Sequence, residues 1–125
     1  EIYELRNNKS KEFHQQLCEQ IEVLLAGSEI TFEIDGQINV KPEDKFELLR
    51  AIKELILNAK RHAICSQISI QLTPEAITIK DNGQGGVTKK ENSYGIDGVK
   101  ERLSLIGFKM QIISNAFGTI ITISI

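Results

Sequence analysis

The segment Pro42–Ala63 constrains the fold most strongly, because its residues predict a long amphipathic helix with two chemically different sides. Proline is favoured in the first helical turn, where the N–H group that it lacks would have no partner. With about 100° of rotation per residue, one side carries apolar residues, which are Ile52, Ile56, Ala59 and Ala63. The opposite side carries polar residues, which are Glu54, Asn58, Arg61 and His62. Such a helix packs its apolar side on another layer, for which a sheet is predicted.

The spacing of apolar residues also predicts the other elements. Steps of three and four predict a helix over Lys11–Ala26 and a short helix that contains Val99 and Leu103 and ends at Gly107. Alternation of apolar and polar residues predicts strands, which are Ile30–Asp35, Ile68–Leu72, Ala76–Lys80 and a hairpin around residues 115–118. This order predicts an α/β fold. We expect a two-layer α/β sandwich, in which helices pack on one face of a mixed, mostly antiparallel sheet.

Composition limits the classes of function. A length of 125 residues predicts one domain, and a net charge of -2 gives no support for binding nucleic acid. No apolar run approaches the roughly 20 residues that cross a bilayer. Cys18 and Cys65 lack C-x-x-C spacing, so we expect two buried, reduced thiols. Residues 1–10 are polar and are expected to be a linker from an upstream domain, with the domain itself at residues 11–125.

The polar side of the long helix gathers a carboxylate, a carboxamide, a guanidinium and an imidazole. The carboxamide oxygen of Asn58 could ligate Mg²⁺ without adding charge, because Mg²⁺ prefers oxygen ligands shared with phosphates and water. The carboxylate of Glu54, one turn earlier, could orient or polarise a nucleophile. For this helix taken alone, the alternative is a polar face that only contacts solvent.

A second cluster begins where a predicted strand ends at Asp81 and continues through Gly83, Gly85 and Gly86. A carboxylate at a strand end can accept a hydrogen bond from an exocyclic amino group, which would select adenine. Glycines let the backbone turn tightly beneath a flat base, where a side chain would clash. The alternative is an ordinary hairpin turn, although such turns rarely need three glycines in four residues.

A third cluster, Ser93–Gly98, leads directly into a predicted helix. Backbone amides at a helix N-terminus, freed by Gly95 and Gly98, make a phosphate site. The alternative is a plain loop in which Asp97 caps the helix.

Taken in order, these residues resemble the sequence boxes of the GHKL (Bergerat-fold) ATPases. Glu54–Ala63 resembles the N box, Asp81–Gly85 the first glycine box, Gly95–Gly98 the second, and Gly118-Thr119 the last. Within that superfamily the chain is most similar to the catalytic ATP-binding domain of bacterial sensor histidine kinases. The runs 58–63 and 95–103 are similar to the subfamily that pairs with helix-turn-helix response regulators.

The resemblance implies a role for each matching residue. Asn58 would ligate the Mg²⁺ that bridges the phosphates of ATP, and Glu54 would position the metal shell or the attacking group. Asp81 would bind the adenine amino group with support from Thr119. The other nucleotide-binding residues that it implies are Arg61, His62, Gly83, Gly85, Gly95, Ile96 and Gly98. The chain departs from many relatives at residues 93–95, where Ser-Tyr-Gly replaces Gly-x-Gly.

The resemblance also implies a transferase of two-component signal transduction. It would pass the γ-phosphoryl of Mg·ATP to a histidine on a separate helical dimerisation and phosphoacceptor domain of the parent kinase, and indirectly to a response regulator. We do not expect His14 to be the acceptor, because Gln15 follows it where an acidic residue belongs. We expect the isolated chain to bind ATP with little turnover, without direct membrane contact, in the cytoplasm at the intracellular end of a membrane-bound sensor.

Two other functions remain open. The first is a protein serine kinase of the anti-sigma-factor type, which shares the fold and would be a free-standing protein. The polar linker at residues 1–10 argues against it. The second is a degenerate nucleotide-binding docking module. The presence of Glu54, Asn58, Asp81 and the surrounding glycines argues against loss of function.

Overall fold

The computed structural model of the chain describes residues 13–62, 65–83, 89–115 and 118–124. These residues form helices and strands in the order α-β-α-β-β-α-β-β. The helices are α1 (Phe13–Leu25), α2 (Pro42–His62) and α3 (Lys89–Leu105). The strands are β1 (Thr31–Gly36), β2 (Gln67–Leu72), β3 (Ala76–Asp81), β4 (Lys109–Asn115) and β5 (Gly118–Ser124).

The five strands form one sheet in the order β1-β2-β3-β5-β4. Strands β1 and β2 are parallel, and every other neighbouring pair is antiparallel. A parallel pair needs a crossover connection, and α2 supplies it between β1 and β2. With helices packed on one face, the structure confirms the predicted mixed, mostly antiparallel α/β sandwich.

The core lies between this sheet and the helices. Alternate residues of the central strands are buried, which are Ile68, Ile70, Leu72, Ile77, Ile79, Ile121 and Ile123. They face the apolar side of α2, where Ile52 and Ile56 are fully buried as predicted and Ala59 is partly buried. Burying one such side chain contributes about 1.5–3 kcal/mol, so this layer accounts for much of the stability. Among the described residues, no helix is long and apolar enough to span a membrane.

Helix α1 is held against the rest of the domain by polar contacts as well as by its buried side. Its Gln20 side chain donates to the carbonyl oxygen of Leu49 at 2.9 Å, and Lys60 Nζ donates to Leu24 O at 3.0 Å. His14 Nδ1 lies 2.9 Å from Gly36 O at the end of β1. His14 therefore has a structural contact.

Helix α3 begins earlier than the sequence predicts. We expected residues 89–98 to be loop and the helix to follow Gly98, but α3 starts at Lys89. Lysine and glutamate at 89–91 favour a helix by intrinsic propensity, which needs no apolar residue. Gly95 and Gly98 therefore lie inside the helix, where backbone amides bond to carbonyls one turn earlier. The prediction that their amides sit at a helix N-terminus is wrong for this conformation.

The two thiols are free, as predicted, but they are half-buried rather than buried. Cys18 lies on the flank of α1, where its Sγ is 3.6 Å from Glu22 Oε1. Burial, followed by the hydrogen bond and the charge of Glu22, raises the pKa of Cys18. Cys65 lies in the connection between α2 and β2.

Candidate functional site

The first two predicted clusters meet at one end of the inner strands of the sheet, which we call the site edge. Asp81 ends β3, opposite Ile68 near the start of β2 and Thr119 near the start of β5. The polar end of α2 reaches the same edge through Cys65, whose Sγ lies 3.9 Å from Ala59 O, next to Asn58. Ser66, the next residue, is bonded to Asn82, which follows Asp81. Burial, and then the charge of Asp81, raises the pKa of the Cys65 thiol. The topology thus brings Asn58 and Asp81 to one side of the molecule.

The carboxylate of Asp81 is half-buried and fixed by the turn that follows it. The backbone N–H of Gly83 donates to Asp81 Oδ1 at 3.0 Å, and Gly83 is itself buried. A carboxylate offers about four acceptor positions, so this bond leaves capacity for an amino group of a ligand.

Thr119 faces Asp81 from β5 and is only 3% exposed. Its hydroxyl lies 3.1 Å from Ser114 Oγ on β4, a residue that sequence reasoning did not single out. The alternation of residues in β4 predicts that Ser114 lies on the same face as Met110. That Ser114 lies opposite Thr119 follows only from the pairing of β4 with β5. A buried threonine with one hydroxyl partner retains capacity for a second hydrogen bond.

Gly118 allows β5 to approach this edge closely. An added Cβ at this position would lie 2.0 Å from the carbonyl oxygen of Asp81 and 3.3 Å from the Cα of Asn82. Its φ of 141° is also one that other residues rarely adopt. Glycine is therefore required here by contact with Asp81 as well as by backbone conformation.

The polar side of α2 also contacts α3. Arg102 Nη2 donates to Glu54 Oε2, and both side chains are partly exposed. Arg102 stands one turn after Gly98, where an added Cβ would lie 3.5 Å from Arg102 Nη1. Gly98 therefore lies beside the ion pair of Glu54 with Arg102. Sequence reasoning missed Arg102, although the run 95–103 contained it.

The structure gives the exposure or the position of most of the other predicted site residues. Asn58 is half-buried and Arg61 is exposed, whereas for His62 the structure describes the backbone. Ile96 is partly buried and packs against the core, which leaves less of it for a ligand. Gly95 lies within α3, and Gly85 lies outside the described residues.

Among the residues that are described, no group of three or more His, Cys, Asp or Glu side chains could hold a metal ion. Mg²⁺ bound through one carboxamide and phosphates needs no such group.

Solved structures that resemble this chain include histidine kinases. The chain superposes on the histidine kinase domain of a blue-light activated histidine kinase from Erythrobacter litoralis with a TM-score of 0.74, covering 91% of this chain and 64% of that one at 17% identity. For histidine kinase AdeS of Acinetobacter baumannii the TM-score is 0.69, with 90% and 62% of the two chains covered at 18% identity. The chain therefore has the fold of a histidine kinase catalytic domain.

Sequence relatives agree with this class. The signal transduction histidine-protein kinase/phosphatase DegS of Brevibacillus brevis is 35% identical over 85 residues, which are 62% of this chain and 22% of DegS. The nitrate/nitrite sensor protein NarQ of Escherichia coli (strain K12) is 31% identical over 102 residues, which are 75% of this chain and 17% of NarQ. No profile of a known protein family matches the chain.

By sequence the chain is thus a relative of the sensor histidine kinases, and the resemblance inferred from its motifs is confirmed. The chain spans about a fifth of the length of these relatives.

Proposed function

We propose that this chain binds Mg·ATP at the edge formed by Asp81, Thr119 and the polar side of α2, and donates the γ-phosphoryl to a histidine on a separate phosphoacceptor domain. One observation carries the proposal: Asp81 has a fixed orientation directly opposite the buried Thr119. The similarity of the chain to DegS, which is named a histidine-protein kinase/phosphatase, supports a kinase of this type.

The base would bind at Asp81. Its carboxylate would accept from the exocyclic amino group of adenine, while Gly83 leaves room for a flat ring beside the backbone. The Thr119 hydroxyl would support the base directly or through a water molecule. Guanine carries a carbonyl oxygen where adenine carries this amino group, so a carboxylate would repel it.

The metal and the phosphates would bind along α2. Asn58 supplies a carboxamide oxygen and Glu54 a carboxylate one turn away, which suits the preference of Mg²⁺ for oxygen. When bound, Mg²⁺ would supply positive charge that offsets the negative charge of the phosphates. Arg61 is exposed on the same side, and Arg102 adds a second permanent positive charge beside Glu54. Guanidinium groups favour phosphate binding by charge-assisted hydrogen bonds.

Phosphate binding by the amides of Gly95, Ile96 and Gly98 would require this part of α3 to leave the helical conformation. Each glycine lowers the cost, because glycine inside a helix is about 1 kcal/mol less favourable than alanine. We therefore propose that nucleotide binding shortens α3 from its N-terminal end.

Replacing Gly98 by alanine tests this proposal. The added Cβ would make only ordinary contact with Arg102, so the variant should fold, with a free energy of unfolding raised by up to about 1 kcal/mol. ATP affinity should fall severalfold, because the helix would be harder to open. Thermal denaturation and calorimetric titration measure the two effects, with Lys100→Ala on the exposed side of α3 as a control. Unchanged or tighter ATP binding would contradict the proposed opening.

The metal assignment is tested by Asn58→Ala and Asn58→Asp. Both should weaken the part of ATP binding that depends on Mg²⁺, about tenfold for alanine if one ligand bond is lost. Binding measured in EDTA should change little. Lys53→Ala, an exposed position on the same helix, is the matched control. If the dependence on Mg²⁺ is the same in all variants, Asn58 is not the ligand.

The function as a whole is tested by calorimetric titration of the chain with ADP and a non-hydrolysable ATP analogue, with and without Mg²⁺, and with GTP as the comparison. We expect adenine nucleotides to bind in a Mg²⁺-dependent way and GTP to give no signal. Turnover of ATP by the chain alone should be very slow, because the acceptor histidine belongs to another domain of the parent kinase. Rapid hydrolysis, or no binding under any condition, would refute the proposal.

We further propose that the parent protein passes the phosphoryl group on to a response regulator. Both ATP and such a regulator are in the cytoplasm, so this domain would act there. Adding a phosphoacceptor domain and a regulator to the chain and following radiolabelled phosphate would test the order of transfer.

A further inference from the structure

Asn82, which directly follows Asp81, is tied to the start of β2. Its backbone N–H donates to Gln67 O at 3.3 Å. Its carboxamide oxygen accepts from the N–H groups of Ser66 and Gln67 at 2.9 and 3.0 Å. Its Nδ2 donates to Ser66 Oγ at 2.9 Å. One exposed residue therefore makes four hydrogen bonds to two neighbours.

These bonds change how the β2–β3 ladder ends. In an antiparallel ladder, residues in a hydrogen-bonded pair exchange two backbone bonds. Asn82 donates its N–H to Gln67 in this manner, but the return bond from Gln67 N–H goes to the side-chain oxygen of Asn82. The ladder is thereby completed without the carbonyl of Asn82. The backbone can therefore turn immediately after Asp81.

The turn fixes the carboxylate of Asp81. Gly83 N–H reaches back to Asp81 Oδ1 at 3.0 Å, which is the local bond of an Asx turn. This bond depends on where the backbone of Asn82 places Gly83. The backbone of Asn82 thus connects the carboxylate of Asp81 to the start of β2.

Ser66, to which Asn82 binds, is itself bonded to the start of β1. Ser66 O accepts from Thr31 N at 3.0 Å and is 3.3 Å from the Thr31 hydroxyl. Through Ser66 and Gln67, the turn after Asp81 is therefore attached to the starts of both β1 and β2. Asn82 is exposed, so its side chain buries little surface. The main effect of its hydrogen bonds is therefore to hold the turn after Asp81 in place.

We propose that Asn82 is a positioning residue for base recognition: its carboxamide clamp on Ser66 and Gln67 holds Asp81 in the orientation that accepts the amino group of adenine. This inference rests on the proposed function, because it needs a base at Asp81. If Asn82 only completed the end of the strand, its loss would lower stability and leave base selectivity unchanged.

The test is the ratio of the dissociation constants for GDP and ADP, at a temperature at which circular dichroism shows each variant folded. ADP is titrated directly by calorimetry, and GDP, which should bind too weakly for a direct signal, is measured by its displacement of ADP. Asn82→Ala should lower this ratio by roughly tenfold, the loss expected when a hydrogen bond to a charged group is poorly aligned. Asn82→Asp should keep the ratio, because a carboxylate oxygen can accept from both N–H groups. Its added charge affects ADP and GDP alike and cancels.

Ser66→Ala is the matched control, because it removes only the hydroxyl partner and keeps both backbone donors. If Asn82→Ala does not fold, Asn82→Gln takes its place, since its longer side chain displaces the carboxamide and should also lower the ratio. An unchanged ratio in a folded Asn82→Ala or Asn82→Gln protein, with ADP binding intact, would overturn the role of Asn82 and leave the proposed function standing. Absence of ADP binding by the unsubstituted chain would overturn both.

Discussion

Asp81→Asn should weaken ADP binding by about ten- to a hundredfold, because a hydrogen bond to a charged group contributes about 1.5–3 kcal/mol. It should also remove the preference for adenine. The amide that replaces the carboxylate has a donor as well as an acceptor, so it can donate to the carbonyl oxygen of guanine. Calorimetric titration with ADP and GDP measures both effects.

Asp35→Asn is the matched control for this substitution, since it makes the same chemical change at an exposed position on β1. It should leave both dissociation constants unchanged. The Asp81→Asn protein should remain folded, because the amide oxygen can still accept from Gly83 N–H. Equal ADP affinity and equal selectivity in the two variants would remove Asp81 from the site.

Gly118→Ala should lower the free energy of unfolding more than any other change considered at the site. The new Cβ would lie 2.0 Å from Asp81 O, and the backbone would be held at a φ of 141°. Strain of this kind costs about 1–3 kcal/mol, and overpacking adds a similar amount. The clash must also displace the end of β3, so ADP binding should be lost or severely weakened. Chemical denaturation and calorimetric titration measure the two losses.

Two other glycines provide controls for Gly118→Ala. Gly27 tests the effect of backbone strain without a clash, and Gly36 tests the effect of a clash away from the site. Gly27 has a φ of 81° with nothing within 4 Å of its added Cβ, so Gly27→Ala should cost only about 1 kcal/mol. At Gly36 the added Cβ would lie 2.0 Å from Leu72 O, at the opposite end of β2 from Asp81. Gly36→Ala should therefore lose as much stability as Gly118→Ala but retain ADP binding below its melting temperature. A Gly118→Ala protein no less stable than Gly27→Ala would contradict the clash.

The elements that could be predicted from the sequence are those whose signal is local. Helix α2 and the β4–β5 hairpin follow from the spacing of apolar residues over one short segment. The end of α3 at Leu105 is also local: Gly107, two residues later, has a φ of 90°, and Phe108 N–H donates to Leu103 O at 2.9 Å. The beginning of α3 was missed because residues 89–91 favour a helix without any apolar pattern. The position of β5 between β3 and β4 depends on pairing between distant segments, which no local pattern specifies.

The same distinction holds for the site. Asp81 and Asn58 could be singled out because their motifs are continuous in sequence. Arg102 could not, because its partner Glu54 lies 48 positions earlier in the sequence, on another helix. Asn82 has the appearance of an ordinary turn residue until Ser66 and Gln67 are seen beside it. The need for glycine at position 118 likewise arises from the approach of two strands.

The place of β5 in the sheet has a consequence for how the domain is synthesised. Strands β3 and β4 precede β5 in the chain, yet each pairs with β5 and they are separated by it. On a translating ribosome, a chain made only as far as Asn115 therefore carries Asp81 on an open strand edge and lacks Thr119. Non-local pairing of this kind is slow, and unpaired edges expose a nascent chain to association. The nucleotide site would thus form only when β5 is added to the sheet of this domain. A nucleotide bound to the folded domain would then stabilise the completed sheet.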